Sequence, residues 1–297
     1  MADIQSTQAA APAIIRRADY RVPDWLIPDI ALDFDLDAAR TRVWSDMSVA
    51  RNGDHDRPLR LDGDGLVPLA VKVDGRSLNE TEWTLEAGAL VVPLSGAAHQ
   101  VEVLVELAPE SNSKLMGLYA SGGLLCTQCE AEGFRRITFF PDRPDILSRY
   151  SVKLTADKAR YPILLANGDP VEQGDLEDGR HWALWNDPFP KPCYLFALVA
   201  GDLACNADRF VTMSGREVAL GIWVREADLP RTEHHHEPEN TTCGCGCQLK
   251  RIGEEEDVHS FSKASSSAIV LTTPGTPALK SAIARSSAAL LAGLAVR

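Results

Sequence analysis

No stretch of this 297-residue chain approaches the roughly 18–20 consecutive apolar residues that cross a bilayer. The amino terminus, MADIQSTQAAAPAIIRRADY, carries its charges after a weak apolar part and so lacks the layout of a secretory signal. No membrane association is expected. A basic excess is missing too: 30 Lys and Arg stand against 42 Asp and Glu, a net charge of −12. Such a surface repels nucleic acid and anionic lipid, so neither is expected as a partner, and its remaining uses are a cationic substrate or plain solubility. Cysteine is scarce and irregularly placed. Seven of them, an odd number, do not make a secreted disulfide framework, and a reducing cytoplasm is the expected compartment. Long amphipathic helices are also lacking before residue 225.

What the chain does contain is period-two alternation. In IALDFDLD, Ile30, Leu32, Phe34 and Leu36 fall on one face and aspartates on the other, the pattern of a half-buried strand. Similar runs follow at Val71 and Val73, at Leu90 to Leu94, and at Val101, Val103, Val105 and Leu107. Later come YSVKLTA, HWALW and the apolar CYLFALVAG. Turn pairs punctuate them at Asn52-Gly53, Asp62-Gly63, Asp74-Gly75 and Asn167-Gly168. Short strands and tight turns predict a mainly β protein, an antiparallel β-sandwich or related β-domain over residues 20–203 behind a flexible arm at 1–19. A mixed α+β domain is the alternative. Residues 204–230 begin a second unit, with Val218, Leu220, Ile222 and Val224 on one alternating face after the Ser214-Gly215 turn.

From residue 231 the composition changes. Residues 231–297 hold one aromatic, Phe261, and their basic and acidic charges cancel, so the acidic excess lies wholly in residues 1–230. Too few large apolar groups remain to offset the entropy of ordering, and a disordered tail is expected. It carries His234, His235 and His236, then Cys243, Cys245 and Cys247, a set able to bind soft divalent ions adventitiously. Consecutive histidines in such a tract do not build a shaped site. His236-Glu237 opens like H-E-x-x-H, but position 240 is Asn, so that match fails.

The stretch CTQCEAEGFRRITFFPDRPD, residues 126–145, concentrates chemistry-bearing groups. Cys126 and Cys129 have the spacing of a redox dithiol or half a zinc site. A dithiol needs a helix N-terminus to lower one thiol pKa, and the β-prone RRITFF downstream argues against a helix. Zinc needs two further ligands at matching spacing, and no second C-x-x-C exists. Two buried free cysteines are the plainer reading. Gln128 and Glu130, two apart, share a face if the segment is extended. An amide and a carboxylate on one face can hold an amine and a neighbouring carbonyl, or can simply be solvated. In WNDPFPKPCYLFALVAGDL the X-Pro pairs give a rigid extended approach to a buried strand, a structural role.

Three segments, TQCEAEGFRRITFFPDRPD, DPFPKPCYLFALVAGDL and SGREVAL, in this order, closely resemble the N-terminal part of the bacterial aminopeptidase N family, alanyl aminopeptidases of the zinc gluzincin type. The resemblance covers roughly residues 18–229. It implies a saddle-like N-terminal β-domain followed by the first strands of a thermolysin-like catalytic domain. It also implies that Glu130 binds the free α-amino group of a peptide and that Gln128 lines the subsites near the scissile bond. Peptide N-termini are then the partner, zinc is the cofactor of the complete family member, and small or basic N-terminal residues are its preferred substrates.

The family's G-x-M-E-N strand, its H-E-x-x-H helix and its later tyrosine have no counterpart here; SSSAIVLTTPGTP stands where G-x-M-E-N is expected. This chain by itself is therefore expected to be inactive, with no catalytic residue, metal ligand or cofactor of its own. Residues from about 231 fit a frame-shifted or rearranged reading of a longer gene. The chain is expected to be a monomer or an aggregation-prone fragment, with Val218, Leu220, Ile222 and Trp223 exposed for want of the rest of their domain. Two other readings compete: a stand-alone binder of peptide N-termini through Glu130, and a metal-binding protein centred on the tail.

Overall fold

The computed structural model describes residues 16–86, 88–232 and the strand at 269–272. Expectations for most of the arm and tail, the His234–His236 and Cys243–Cys247 cluster included, lie outside the described residues. In chain order the strands are β1 (Trp25–Leu36), β2 (Thr41–Arg51), β3 (Leu59–Asp62), β4 (Pro68–Val73), β5 (Arg76–Ser77), β6 (Thr84–Glu86), β7 (Ala89–Val92), β8 (Ala98–Leu107) and β9 (Gly117–Ser121). They continue with β10 (Leu124–Gln128), β11 (Ser148–Asp157), β12 (Ile163–Ala166), β13 (Asp169–Asp175), β14 (Arg180–Lys191), β15 (Leu198–Gly201), β16 (Ala204–Val211), β17 (Glu217–Val224) and β18 (Ile269–Thr272). The largest sheet runs β13-β14-β11-β1-β2-β8-β4-β5. Smaller ones run β12-β15-β10-β9, β3-β7-β6 and β16-β17-β18. The fold is mainly β, as the alternation predicts.

Strand β1 shows why. Ile30, Leu32, Phe34 and Leu36 are buried, and the residues between them face out. Its neighbour β11 lies parallel to it, with Asp29 opposite Arg149 and Asp33 opposite Lys153. That register turns the row of aspartates into cross-strand ion pairs: Asp29 with Arg149 at 2.7 Å and Asp33 with Lys153 at 3.4 Å, while Asp35 meets Arg180 on β14. Exposed pairs contribute about 0–1 kcal/mol each, against roughly 1.5–3 kcal/mol for each large apolar side chain buried on the other face, so burial sets the register and the charges decorate it. The parallel pairing departs from an all-antiparallel expectation. It is possible because the whole chain from β2 to β10 lies between the two strands, far more than the dozen residues such a crossover needs.

Three segments of the sequence meet in one aromatic cluster. Phe134 packs edge-on against Phe140, with ring centroids 5.2 Å apart, and Phe196 lies at the same distance. Tyr150 of β11 touches both Phe134 and Phe196, and Phe34 of β1 stacks on Phe196 at 6.1 Å. All five rings are buried.

Several expectations need correction. RRITFF is not a strand: Phe134–Arg136 forms a one-turn 3-10 helix, and Phe140 makes a single bridge to Asp62. CYLFALVAG is only half strand, a 3-10 turn at Cys193–Leu195 preceding β15. The prolines do not precede a strand but end one: Pro188 and Pro190 lie inside β14, past its pairing with β13 and where its register with β11 shifts. A missing N–H is harmless there. Asn167-Gly168 is not a hairpin turn but the crossing from β12 to β13 in a different sheet. Gly168 has φ +89°, and a Cβ there would lie 2.3 Å from the Asn186 carbonyl oxygen, so no other residue fits. In the second unit Val218 and Val224 are buried and Leu220, Ile222 and Trp223 are half-buried rather than exposed. Finally, Ile269–Thr272, inside the stretch expected to be disordered, forms a strand against β17.

Phe196 joins the three segments, so Phe196→Ala is expected to lower stability by about 3–5 kcal/mol in urea unfolding of the full chain; a loss below about 1 kcal/mol would mean the cluster does not hold the fold together.

Candidate functional site

Strand β10 carries the C-T-Q of the motif into the middle of its sheet, with Cys126 opposite Tyr119 and Gln128 opposite Gly117 of β9. On the other side it pairs with β15, and the buried Thr127 hydroxyl accepts the Leu198 N–H at 2.9 Å. The strand stops at Gln128. Cys129 to Gly133 then turn, closed by the Gly133 N–H donating to the Cys129 carbonyl at 2.7 Å. The turn is tight: a Cβ on Gly133 would lie 2.3 Å from the Gln128 carbonyl oxygen and 2.8 Å from Cys129 Cα. Only glycine allows the chain to fold back on the residue it has just placed. The Glu130–Ala131 peptide within this turn is cis.

Gln128 and Glu130 are therefore not alternate residues of one extended strand, and the spacing argument for a shared face does not apply. What joins them is a hydrogen bond, Gln128 Nε2 donating to the Glu130 backbone carbonyl at 3.1 Å. The bond commits the amide nitrogen and leaves the side-chain oxygen, Gln128 Oε1, shielded from solvent with no partner. Glu130 is exposed, and among the described residues its carboxylate takes part in no ion pair. Glu132, two residues on, differs: it lies 3.3 Å from the Arg135 guanidinium. The turn thus presents one carboxylate unpaired among the described residues, on a residue tied to a glutamine whose own unsatisfied oxygen is shielded from solvent.

A buried acid holds the turn from below. The Asp142 side chain is almost wholly buried. Its Oδ2 accepts from the Arg135 backbone N–H at 3.1 Å and from Arg135 Nε at 3.0 Å, and its Oδ1 accepts the Cys193 thiol at 3.0 Å. Its own N–H donates to Asp62 at 3.0 Å. Burial opposes the charge on Arg135, but the hydrogen bond and charge of Asp142 outweigh it, and the guanidinium is held above its usual range. The Asp142 carboxylate therefore ties the 3-10 turn after β10 to the segment leading into β15, and its backbone N–H adds the link to β3. Sequence reading passed over Asp142. The signal was there, a carboxylate closing the run I-T-F-F-P, all of which is buried.

The thiols have the surroundings of structural cysteines. Burial pushes Cys126 up to about 11. Cys129 is also raised, by burial and then by the Asp142 charge. Neither is a ready thiolate, and Cys126 lies within a strand rather than at a helix N-terminus. Among the described residues no three His, Cys, Asp or Glu side chains converge on a point that could hold a metal ion, so the donors present do not fit a zinc centre. A groove of about 740 Å³ opens elsewhere, lined by Trp182, Trp185 and Trp223, and Gln128 and Glu130 have no part in it.

Residues 70–195 match the Peptidase M1 N-terminal domain. The chain is 52% identical over 215 residues to aminopeptidase N of Escherichia coli K12, covering 72% of this chain and 24% of that protein. It is 51% identical over 223 residues to aminopeptidase N of Caulobacter vibrioides, covering 75% and 26%. The chain thus spans about a quarter of the length of these relatives. Among solved structures, Legionella pneumophila aminopeptidase A in complex with aspartic acid superposes with a TM-score of 0.68 at 31% identity, covering 72% of this chain and 25% of that one. An M1 zinc metallopeptidase of Deinococcus radiodurans bound to a Tyr-Ser-Ala substrate shares the fold at 19% identity, with a TM-score of 0.56 over 66% of this chain and 46% of that one.

If Asp142 is the clasp, Asp142→Ala strands a half-buried guanidinium and breaks three hydrogen bonds at once, and is expected to lower stability by roughly 2–4 kcal/mol in urea unfolding. Asp29→Ala, which breaks an exposed pair, is expected to cost less than about 1 kcal/mol; equal losses would refute the clasp.

Proposed function

We propose that this chain, which carries the N-terminal β-domain of the M1 peptidases, is the part of an aminopeptidase N-type protein that grips the free α-amino end of a peptide. The observation that carries this reading is the exposed Glu130 carboxylate, without an ion pair among the described residues, on a residue joined by one hydrogen bond to Gln128, whose unsatisfied Oε1 lies just beneath the surface. An α-ammonium group offers donors and a positive charge in the place where this turn offers acceptors and a negative one. An internal peptide bond has no such charge. Selection for chain ends over chain interiors follows, which is the requirement of an exopeptidase. The relatives' names, aminopeptidase N, support the same assignment.

Gln128 lines the subsite beside the scissile bond, and Glu130 receives the amine. Hydrolysis requires an activated water and a base that the 297 residues as they stand do not provide, since no H-E-x-x-H occurs in them. Residues 20–203 act as the recognition domain and 204–230 as the opening strands of the catalytic one. We place the protein in the cytoplasm. No helix among the described residues is long and apolar enough to cross a membrane, and the four described cysteines are free, as a reducing compartment would keep them.

Calorimetry of the full chain with short peptides bearing a free N-terminus is expected to show weak binding, lost as pH rises past the α-amino pKa of about 8. Glu130→Gln is expected to weaken it by about ten- to a hundred-fold, the 1.5–3 kcal/mol typical of a hydrogen bond to a charged group; equal heats for the two proteins would sink the assignment. Incubation with an alanine arylamide and zinc is expected to give no turnover. Activity that a chelator abolishes and zinc restores would overturn the statement that this chain lacks a catalytic engine.

A further inference from the structure

Strand β17 poses a problem that the recognition site does not address. One of its edges pairs with β16 from Val218 opposite Phe210 to Val224 opposite Ala204. The other edge belongs to Val218-Ala-Leu-Gly-Ile-Trp-Val224, seven residues without a charge or a proline. A straight, uncharged, apolar strand edge is a template for any other extended chain, and natural sheets protect such edges with charges, prolines, bulges or a cover. Within Val218–Val224 none of the first three is present, the strand's one charge being Glu217 at its start. The cover is β18, which lies antiparallel on that edge with Leu220 opposite Thr272, Gly221 opposite Leu271, Ile222 opposite Val270 and Trp223 opposite Ile269. It comes from far along the chain, tethered through residues 225–268.

The sequence around β18 fits that task. In residues 233–297, Ile269-Val-Leu-Thr-Thr273 is the one run of five residues rich in β-branched types and free of charge, Gly and Pro, the composition that favours an extended strand. Its pairing spans four residues, where the β16–β17 ladder spans eight. Its hold on the edge comes from backbone hydrogen bonds common to any extended chain, which give affinity in strand addition without demanding a particular sequence. A short cap of this kind stays in place chiefly because its tether keeps it close.

We propose that the free edge of β17 is a strand-acceptor site, closed in this chain by Ile269–Thr272, and that it takes in exchange an extended, uncharged, β-branched peptide segment. The site is independent of Gln128 and Glu130, which lie on β10 and the turn after it. A free peptide competes against an effective concentration on the order of mM for the tethered strand, so the edge opens to outside segments when the cap is weakened.

The test compares the full chain with a full-length Val270→Pro/Leu271→Pro variant, in which one of the two adjacent prolines removes a donor facing β17 and the pair of rings bars a regular strand, so the cap cannot pair. The probe is a labelled six-residue peptide, Ala-Ile-Val-Leu-Thr-Thr. Binding to the variant is expected to be at least ten-fold tighter than to the parent chain. Hydrogen exchange is expected to show the outward amides of Val218–Val224 protected in the parent, open in the variant and protected again with saturating peptide. The amides of β1 and β11 should stay protected throughout, and any self-association of the variant should be reversed by the peptide. Equal peptide binding by the two proteins, or unchanged protection of β17 in the variant, would overturn the proposal. So would a loss of protection that extends to β1 and β11, because the cap would then be supporting the whole fold rather than closing one edge.

Discussion

The structure around the site depends on one buried carboxylate. Asp142 receives three hydrogen bonds, from the backbone and side chain of Arg135 and from the Cys193 thiol, and its own N–H reaches Asp62. An isolated buried carboxylate is prohibitively unfavourable, so the chain around it is obliged to keep those partners in place. Satisfying one oxygen pair therefore brings together the turn after β10 and the segment before β15, and the N–H of the same residue anchors both to the end of β3. The aromatic cluster forms in the same place, since Phe134 and Phe196 sit beside the two residues that bind Asp142.

This arrangement explains why a stretch so rich in reactive groups uses so few of them. Cys126, Cys129 and Cys193 are packed, protonated and inert. Arg135 belongs to the clasp, Glu132 leans on Arg135, and Arg136 pairs with Asp64. After these obligations are met, Gln128 Oε1, Arg136 Nε and the Glu130 carboxylate are left without partners among the described residues, and of these the Glu130 carboxylate is the exposed one. A turn pinned on its buried side, with the Glu130 carboxylate on its exposed side, is preorganised: on the proposed reading, an ammonium bound there would not pay for ordering the loop.

Much of the fold was legible, and for a simple reason. Alternation such as IALDFDLD reports directly which side chains a sheet will bury, and β1 buries those residues. Pairing is another matter. Nothing local in IALDFDLD or YSVKLTA states that the two strands lie side by side and parallel, because that follows from where the intervening chain goes. Propensity failed at RRITFF, where β-prone residues make a 3-10 turn because Asp142, not a neighbouring strand, takes the Arg135 N–H. Composition failed at Ile269–Thr272, since an average over a polar tail hides four residues that match an open edge. At the site itself, the residue types of Gln128 and Glu130 pointed to amine binding, but the geometry offered for it, alternate positions on a strand, was wrong. A glycine at 133 and a hydrogen bond from side chain to backbone join them instead.

The central claim is that the Glu130 carboxylate meets a positively charged peptide end. The carboxyl carbon of Glu130, followed by ¹³C NMR of the full chain, reports on that contact alone. Titration with trialanine is expected to move this resonance saturably, and N-acetyl-trialanine, which differs only in lacking the charged amine, is expected to leave it unmoved. The same response to both peptides, or to neither, would contradict the account.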